Sequence, residues 1–165
     1  MKIIENFFEN DSLFKIKTYL EELQNDPTFI HKDMWPERLT MSEGNVGIYY
    51  FDKNIDNEVY ELIYQKMSSF FSIKPISITF HYWQPSSFIP WHDDGNKSAA
   101  ATIYLNEYWD ADYGGLFLYD ELNGEGIRGI VPHFNKCIFQ PGGLWHCTTQ
   151  THFKAPVRKS LQVFF

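Results

Sequence analysis

The chain has 165 residues, of which 44% are hydrophobic and 18% aromatic, and its formal net charge at pH 7 is −7. This length and apolar content predict one domain with a buried core and exclude an intrinsically disordered chain. The acidic balance argues against general affinity for nucleic acid or for anionic membranes, and we expect neither as a partner.

Two helices are predicted within residues 1–75. The first begins at Asn10-Asp11-Ser12, whose side chains can cap a helix N-terminus, and ends near Asn25. The second begins at Asp56-Asn57 and ends before Lys74-Pro75. Apolar residues recur at helical spacing in both helices. We expect the second helix to lie against a sheet through Val59, Leu62, Ile63, Met67 and Phe70.

From residue 76 onward the sequence changes to short β-type runs separated by Pro and Gly. These runs predict strands at residues 76–83, 99–106, 115–119, 126–131, 136–139, 144–148 and 157–165. Shorter strands are expected near the N-terminus and at residues 47–51. We therefore predict a mainly β fold with N-terminal helices (α+β), in which a sandwich or jelly roll is buttressed by helices. One domain is expected, with helical support over residues 1–75 and the β core over residues 76–165.

The two cysteines, Cys137 and Cys147, are too few for a disulfide framework. We interpret both as free thiols, which suits a reducing cytosol. The sequence also shows no secretory signal and no apolar span of about 18 residues. These observations predict a soluble cytoplasmic protein.

The stretch Trp91-His92-Asp93-Asp94-Gly95 holds a His and an Asp two residues apart. In an extended chain such a pair projects to one face and can grip a metal ion. A second His would complete a 2-His-1-carboxylate set, which is typical of non-haem Fe(II) sites with open positions. His146 is the candidate, although any one of the six histidines alone is more often structural. Asp94 before Gly95 also fits an ordinary turn.

The His-x-Asp pair and the later histidine follow one another along a β-rich segment. This segment, from about Ile76 to Phe165, resembles the catalytic core of the Fe(II)/2-oxoglutarate-dependent oxygenases. Within that superfamily it is similar to the prolyl-hydroxylase-like branch. The resemblance is carried by Tyr82, His92-Asp93-Asp94, Ile103 to Trp109 leading into Gly114-Gly115, His146, and Arg158 to Phe164. It implies a double-stranded β-helix, a cupin-like jelly roll, with Fe(II) bound by His92, Asp94 and His146. Fe(II), 2-oxoglutarate and O₂ are the implied cofactors, and ascorbate is a candidate support.

The resemblance also assigns residues to the cosubstrate. A buried Arg158 needs a partner, and its planar fork suits the far carboxylate of 2-oxoglutarate. Ser160, two residues later and on the same face, can add a hydroxyl. Tyr104 matches a tyrosine that helps to hold this carboxylate, and Tyr82 matches one that lines the cosubstrate pocket. Arg158 could instead lie at the surface, and both tyrosines could simply pack in the core.

Three neighbours of the implied ligands receive structural roles. Strand alternation puts Asp93 on the opposite face from His92, and we expect it to support the site rather than bind metal. Trp91 and Trp145 each precede a ligand, and we expect them to face away from the metal and to pack in the core. Gly114-Gly115 is expected to form a tight turn that only glycine accommodates.

The sequence thus predicts a dioxygenase that hydroxylates an unactivated C–H and releases succinate and CO₂. The first substrate hypothesis is a prolyl residue in a peptide or protein, and the second is a free amino acid or other small metabolite. The aromatic-rich segment 31–51 is a candidate peptide-docking surface or an ordinary loop. The sequence is also compatible with a non-catalytic jelly-roll binding module and with a zinc or cupin centre, although cupins use His-x-His. The oligomeric state is left open.

Overall fold

A computed structural model of the protein describes residues 1–25, 46–121 and 126–165. Over these ranges it has two α-helices, α1 (Asn10–Asn25) and α2 (Asn57–Phe71). The described strands are β1 (Lys2–Ile4), β2 (Val46–Tyr50), β3 (Ser77–Trp83), β4 (Ile89–His92), β5 (Ala99–Tyr104), β6 (Phe117–Asp120), β7 (Ile127–Ile130), β8 (Cys137–Pro141), β9 (His146–Thr148) and β10 (Arg158–Phe164).

The strands form two antiparallel sheets that face each other. The larger sheet has the order β1-β8-β5-β10-β3-β2, and the smaller has the order β4-β9-β6-β7. From β3 to β10 the chain passes back and forth between the two sheets, which makes a double-stranded β-helix of the jelly-roll type. The predicted fold class, mainly β with N-terminal helices around a jelly-roll core, is confirmed. Strands β1 and β2 extend the larger sheet at its two edges.

Both helices cover the outer face of the larger sheet. Ile16 of α1 and Ile63 and Met67 of α2 are completely buried in one core with Phe80 and Leu161 from the sheet. This burial is the main reason that the helices form, because a helix of this length is marginal in water without an apolar partner. The prediction that α2 lies against a sheet is therefore confirmed. The buried apolar face of α2 is narrower than predicted, because Phe70 is 47% exposed.

Strand β10 presents two different faces because side chains alternate along a strand. Leu161 and Val163 point into the core beneath the helices, whereas Arg158, Ser160 and Gln162 line the space between the two sheets. A row of polar and charged side chains is thus held inside the barrel by a strand whose other face contributes to the apolar core. This arrangement positions the candidate site.

Part of the sequence-based interpretation concerns residues outside the described ranges. Most of the aromatic-rich segment 31–51 lies there. Within the ranges that are described, neither helix combines the length and the apolar character needed to cross a membrane.

Candidate active site

Three side chains that can bind a metal ion converge at one end of the barrel. His92 ends β4, His146 begins β9, and the two are direct cross-strand partners with ring centroids 4.2 Å apart. Asp94 follows β4 in the turn that leads to Gly95, so it is not part of the strand itself. One ligand atom from each of these three side chains lies within 4.8 Å of the others.

Both imidazole rings are held in an orientation that suits metal binding. The Nδ1 atom of His92 lies 2.9 Å from the carbonyl oxygen of Pro90, and that of His146 lies 2.8 Å from the carbonyl oxygen of Leu144. Each Nδ1–H can therefore donate to the backbone, which directs Nε2 of each ring toward Asp94. The Nε2 atoms lie 3.8 and 3.9 Å from the two carboxylate oxygens of Asp94.

The surroundings favour neutral imidazole at His146. Burial lowers the pKa of His146, and the neighbouring His92 lowers it further, while Asp94 acts in the opposite direction. The ring of Phe117 stacks on His146 with 5.2 Å between centroids. A neutral, sterically fixed imidazole is the form that binds a divalent metal.

Arg158 is a buried cation with unused hydrogen-bond donors. It is only 3% exposed, and its guanidinium carbon lies 5.3 Å from the ring centroid of Trp83 and 5.1 Å from that of Tyr104. Burial lowers the pKa of Arg158, yet a guanidinium remains protonated in proteins. Its Nε and Nη1 atoms, and the hydroxyl of Tyr104, are buried without a hydrogen-bond partner among the described residues. An anion with two acceptor oxygens would satisfy this arrangement.

Arg158 and the three candidate metal ligands line the same cavity. Ser160 also lines it and is 2% exposed. Five of the seven predicted site residues therefore line one cavity, namely His92, Asp94, His146, Arg158 and Ser160. Tyr104 contacts one member of this set, because its ring lies against the guanidinium of Arg158.

The structure corrects the prediction for Tyr82. Its cross-strand partner is Lys159, whereas Arg158 pairs with Trp83 and Ser160 pairs with His81. The alternation of β3 therefore directs Tyr82 to the helix side of the sheet, where it packs against the main hydrophobic cluster. Trp83 and His81 take the cavity positions that were expected for Tyr82.

His81 and Trp83 are site residues that the sequence interpretation missed. His81 is 6% exposed, and its Nε2 lies 3.0 Å from Thr79 Oγ1. Burial, with a smaller contribution from the charge of Arg158, lowers the pKa of His81 to about 3. His81 is therefore neutral at physiological pH. The signal that could have found both residues is the two-residue alternation of β3, which places one face of the strand opposite Arg158 once the register is known.

The prediction that Trp91 and Trp145 pack in the core is wrong. Trp91 is 39% exposed and Trp145 is 52% exposed. Both precede inward-facing histidines, and alternation puts them on the outer face of the smaller sheet. No helix of the described ranges lies against that face, because both helices pack on the larger sheet.

The Gly114-Gly115 pair fits its expected role. Both residues have positive φ, at +68° and +62°. A Cβ atom on Gly114 would lie 2.2 Å from the carbonyl oxygen of Gln150, and one on Gly115 would lie 3.3 Å from Cδ of Arg158. Glycine is therefore required for the turn and for close packing beside Arg158. Cys137 and Cys147 are buried free thiols, as predicted.

A family model described as the 2OG-Fe(II) oxygenase superfamily matches residues 78–165, more than half of the chain. The chain belongs to this superfamily. It is an enzyme of the 2-oxoglutarate- and Fe(II)-dependent dioxygenase class, and Fe(II), 2-oxoglutarate and O₂ are its cofactors. No curated protein matches the chain by sequence.

Solved structures with the same fold include several prolyl hydroxylases. A Pseudomonas putida prolyl-4-hydroxylase matches with a TM-score of 0.80 and 16% identity, covering 99% of this chain and 90% of that one. A Trichoplax adhaerens prolyl hydroxylase, in complex with a hypoxia inducible factor peptide fragment, matches with a TM-score of 0.80, 14% identity and coverages of 99% and 81%. A viral collagen prolyl hydroxylase from Paramecium Bursaria Chlorella virus-1 matches with a TM-score of 0.70, 14% identity and coverages of 99% and 93%. These likenesses show the fold, and the predicted superfamily is confirmed by the family model. The prolyl-hydroxylase-like branch stays a prediction.

The side chains present fit the cofactors of this class. His92, Asp94 and His146 offer two nitrogen ligands and one oxygen ligand at a single point, which is the donor set of non-haem Fe(II) sites. The unpartnered buried donors of Arg158 fit the carboxylate of a 2-oxoacid that has a second acidic end.

Proposed function

We propose that this dioxygenase hydroxylates a prolyl residue in a peptide or protein. In this proposal His92, Asp94 and His146 bind Fe(II), and Arg158 binds 2-oxoglutarate. One observation carries the proposal: a buried arginine with unpaired donors shares a cavity with two histidines and one aspartate whose ligand atoms converge. A scaffold protein has no need to bury an uncompensated cation beside a metal-ligand set, since each is costly alone.

When bound, Fe(II) and 2-oxoglutarate together activate O₂ for hydroxylation of a C–H bond, with succinate and CO₂ as coproducts. The chain supplies binding and orientation. His92 and His146 would present their Nε2 atoms to the metal, because their Nδ1 atoms face backbone carbonyls. Asp94 would supply the negative charge that offsets part of the metal charge, and a set of three protein ligands would leave coordination positions for cosubstrate and O₂.

In this proposal Arg158 binds the carboxylate of 2-oxoglutarate that lies away from the metal. The guanidinium has buried donors at Nε and Nη1 that lack a partner among the described residues and can donate to acceptor oxygens, and its carbon lies 5.3 and 5.1 Å from the ring centroids of Trp83 and Tyr104. The hydroxyls of Tyr104 and Ser160 stand on the same face of the sheet and can add two further contacts. Burial of these groups removes competing water, which strengthens a charge-assisted hydrogen bond.

The cavity wall limits solvent around the reacting centre. Its apolar lining comes from both sheets and consists of Trp83, Ile89, Phe117 and Phe164. Such a wall keeps water from the metal side of the pocket and gives a substrate side chain an apolar surface to contact. A pyrrolidine ring is small and apolar, and it suits this lining.

The choice of a prolyl substrate is supported by the structural neighbours. Three are named as prolyl hydroxylases and one of these was solved with a peptide, although identities of 14–16% show only the fold. The acidic balance of the chain suits a peptide with basic flanks. The docking role considered for segment 31–51 stays a prediction, as does the cytoplasmic location.

The test is a panel of proline-containing peptides incubated with protein, Fe(II), 2-oxoglutarate and ascorbate. We expect a peptide that gains one oxygen atom, with stoichiometric succinate, and no gain with the Asp94→Ala variant. A parallel panel of free amino acids is the competing arm. Turnover of a free amino acid and of no peptide would replace the substrate hypothesis and leave the enzyme class intact. Absence of succinate in every arm would favour a non-catalytic binding module.

Metal analysis tests whether the site is instead a zinc centre. Anaerobically purified protein should contain iron in proportion to protein, and His92→Ala should lose it. Stoichiometric zinc that persists in the presence of Fe(II), without turnover of 2-oxoglutarate, would indicate a zinc centre.

A further inference from the structure

Gln140 is a buried amide side chain beside the candidate metal ligands. It lies on β8 of the larger sheet, where it pairs with Ala100, and is 3% exposed. Its Nε2 atom donates to Oδ2 of Asp94 at 2.7 Å. Gln140 therefore links the larger sheet to the turn after β4, which belongs to the smaller sheet, at the point where the ligands converge.

The same amide also rests against the second histidine. Nε2 of Gln140 lies 3.3 and 3.4 Å from the two ring nitrogens of His146. Nδ1 of His146 faces the carbonyl of Leu144 at 2.8 Å, so the amide lies beside the ring edge that carries Nε2, the nitrogen that would bind the metal. Gln140 thus restricts two of the three ligand side chains, Asp94 by a short hydrogen bond and His146 by longer contacts with its ring nitrogens.

The hydrogen bond distinguishes the two oxygens of Asp94. Oδ2 is engaged by Gln140, whereas Oδ1, 3.8 Å from Nε2 of His92, is left to a metal ion. A carboxylate with one oxygen engaged in this way binds metal through the other oxygen. This matters for the proposed reaction, because a carboxylate that used both oxygens would fill one of the positions that cosubstrate and O₂ need.

The other end of the amide argues against a purely structural role. Oε1 of Gln140 is buried and has no hydrogen-bond partner among the described residues. A buried acceptor without a partner costs free energy, and such groups in native proteins call for an explanation. An apolar residue of similar size at this position would avoid this cost but would lose the hydrogen bond from Nε2 to Asp94.

We propose that Gln140 is a positioning residue that orients Asp94 for monodentate metal binding. The inference rests on the proposed metal site. Partners of metal-ligating carboxylates typically contribute 10- to 100-fold to metal affinity. Replacement of Gln140 by an apolar residue of similar size should therefore weaken metal binding while the fold is kept.

The experiment is calorimetric titration of apo protein with Mn²⁺, a redox-stable substitute for Fe(II), in the absence of cosubstrate. Gln140→Leu should bind Mn²⁺ about 10- to 100-fold more weakly than the wild type. The matched control is Gln65→Leu, since Gln65 donates to the carboxylate of Glu61 at 3.2 Å on the exposed face of α2. Its Mn²⁺ affinity should equal that of the wild type. Gln140→Met, which is unbranched, is the second variant where Gln140→Leu does not fold.

Three results overturn the inference in distinguishable ways. Mn²⁺ affinity of Gln140→Leu or Gln140→Met within about threefold of the wild type would show that the amide does not position Asp94. An equal loss of thermal stability in the apo and Mn²⁺-loaded forms, with unchanged affinity, would assign Gln140 to the fold. Failure of the wild type itself to bind Mn²⁺ would remove the proposed metal site and the inference with it.

Discussion

His92 and His146 face each other directly across the β4–β9 pair, with their ring centroids 4.2 Å apart. Each ring has its Nδ1 beside the carbonyl of the residue two positions earlier, at 2.9 and 2.8 Å. The same contact with a backbone carbonyl therefore directs both Nε2 atoms toward Asp94. Two of the three candidate ligands thus already have the orientation that metal binding requires.

This geometry predicts that a divalent metal stabilises the fold. At a free Mn²⁺ concentration 100 times its dissociation constant, the free energy of unfolding should rise by about 2.7 kcal/mol. His92→Ala should lose most of this gain, whereas His133→Ala, which replaces an exposed histidine, should keep it. Denaturant unfolding with and without Mn²⁺ measures the difference. An equal gain in His92→Ala and the wild type would place the metal elsewhere.

Arg158→Ala should weaken 2-oxoglutarate binding far more than metal binding. Loss of a charge-assisted contact from a desolvated pocket costs about 2–5 kcal/mol, which is roughly 30- to 5000-fold in affinity. Lys159→Ala is the matched control, since Lys159 is the next residue and lies on the opposite face of β10. Calorimetric titration with each ligand gives both affinities. Equal losses of metal and cosubstrate affinity in Arg158→Ala would mean that Arg158 supports the fold instead.

Gly115→Ala should weaken 2-oxoglutarate binding, because the added methyl group would crowd Arg158. The new Cβ would lie 2.9 Å from Cγ2 of Thr151 and 3.3 Å from Cδ of Arg158, in a residue with φ of +62°. Gly143→Ala provides the control, because Gly143 has φ of +75° and a methyl group there would have no atom within 4 Å. Both variants bear the backbone strain of about 1–3 kcal/mol. Only Gly115→Ala should also weaken 2-oxoglutarate binding, and equal cosubstrate affinities in the two variants would contradict the account.

His81 predicts a specific pH dependence of stability. Its pKa is about 3 in the folded protein and about 6.5 in the unfolded chain. Between these values the unfolded state binds a proton that the folded state does not, so stability falls as the pH drops below about 6.5. From pH 7 to pH 5 this contributes a loss of about 2 kcal/mol. His81→Gln should lose less stability than the wild type over this interval, as measured by urea unfolding. Parallel losses would show that His81 is protonated when folded.

The sequence allowed much of the fold and most of the candidate site to be predicted. His92, Asp94, His146 and Arg158 could be found because their order along the chain carries the signal, whatever the register. Tyr82 was misplaced because the face of a strand that meets the cavity depends on pairing with β10, and that pairing is long-range. Gln140 was missed for the same reason, since its contact with Asp94 joins two sheets. Trp91 and Trp145 show that apolar character does not by itself predict burial.

The central claim is that metal and cosubstrate occupy one site built from His92, Asp94, His146 and Arg158. The most direct measurement is the affinity for 2-oxoglutarate with and without saturating Mn²⁺ under anaerobic conditions. If a single cavity holds both, Mn²⁺ should tighten 2-oxoglutarate binding by at least about tenfold, a coupling of about 1.4 kcal/mol. Asp94→Ala should abolish this coupling. Equal affinity for 2-oxoglutarate in the presence and absence of Mn²⁺ would contradict a shared site.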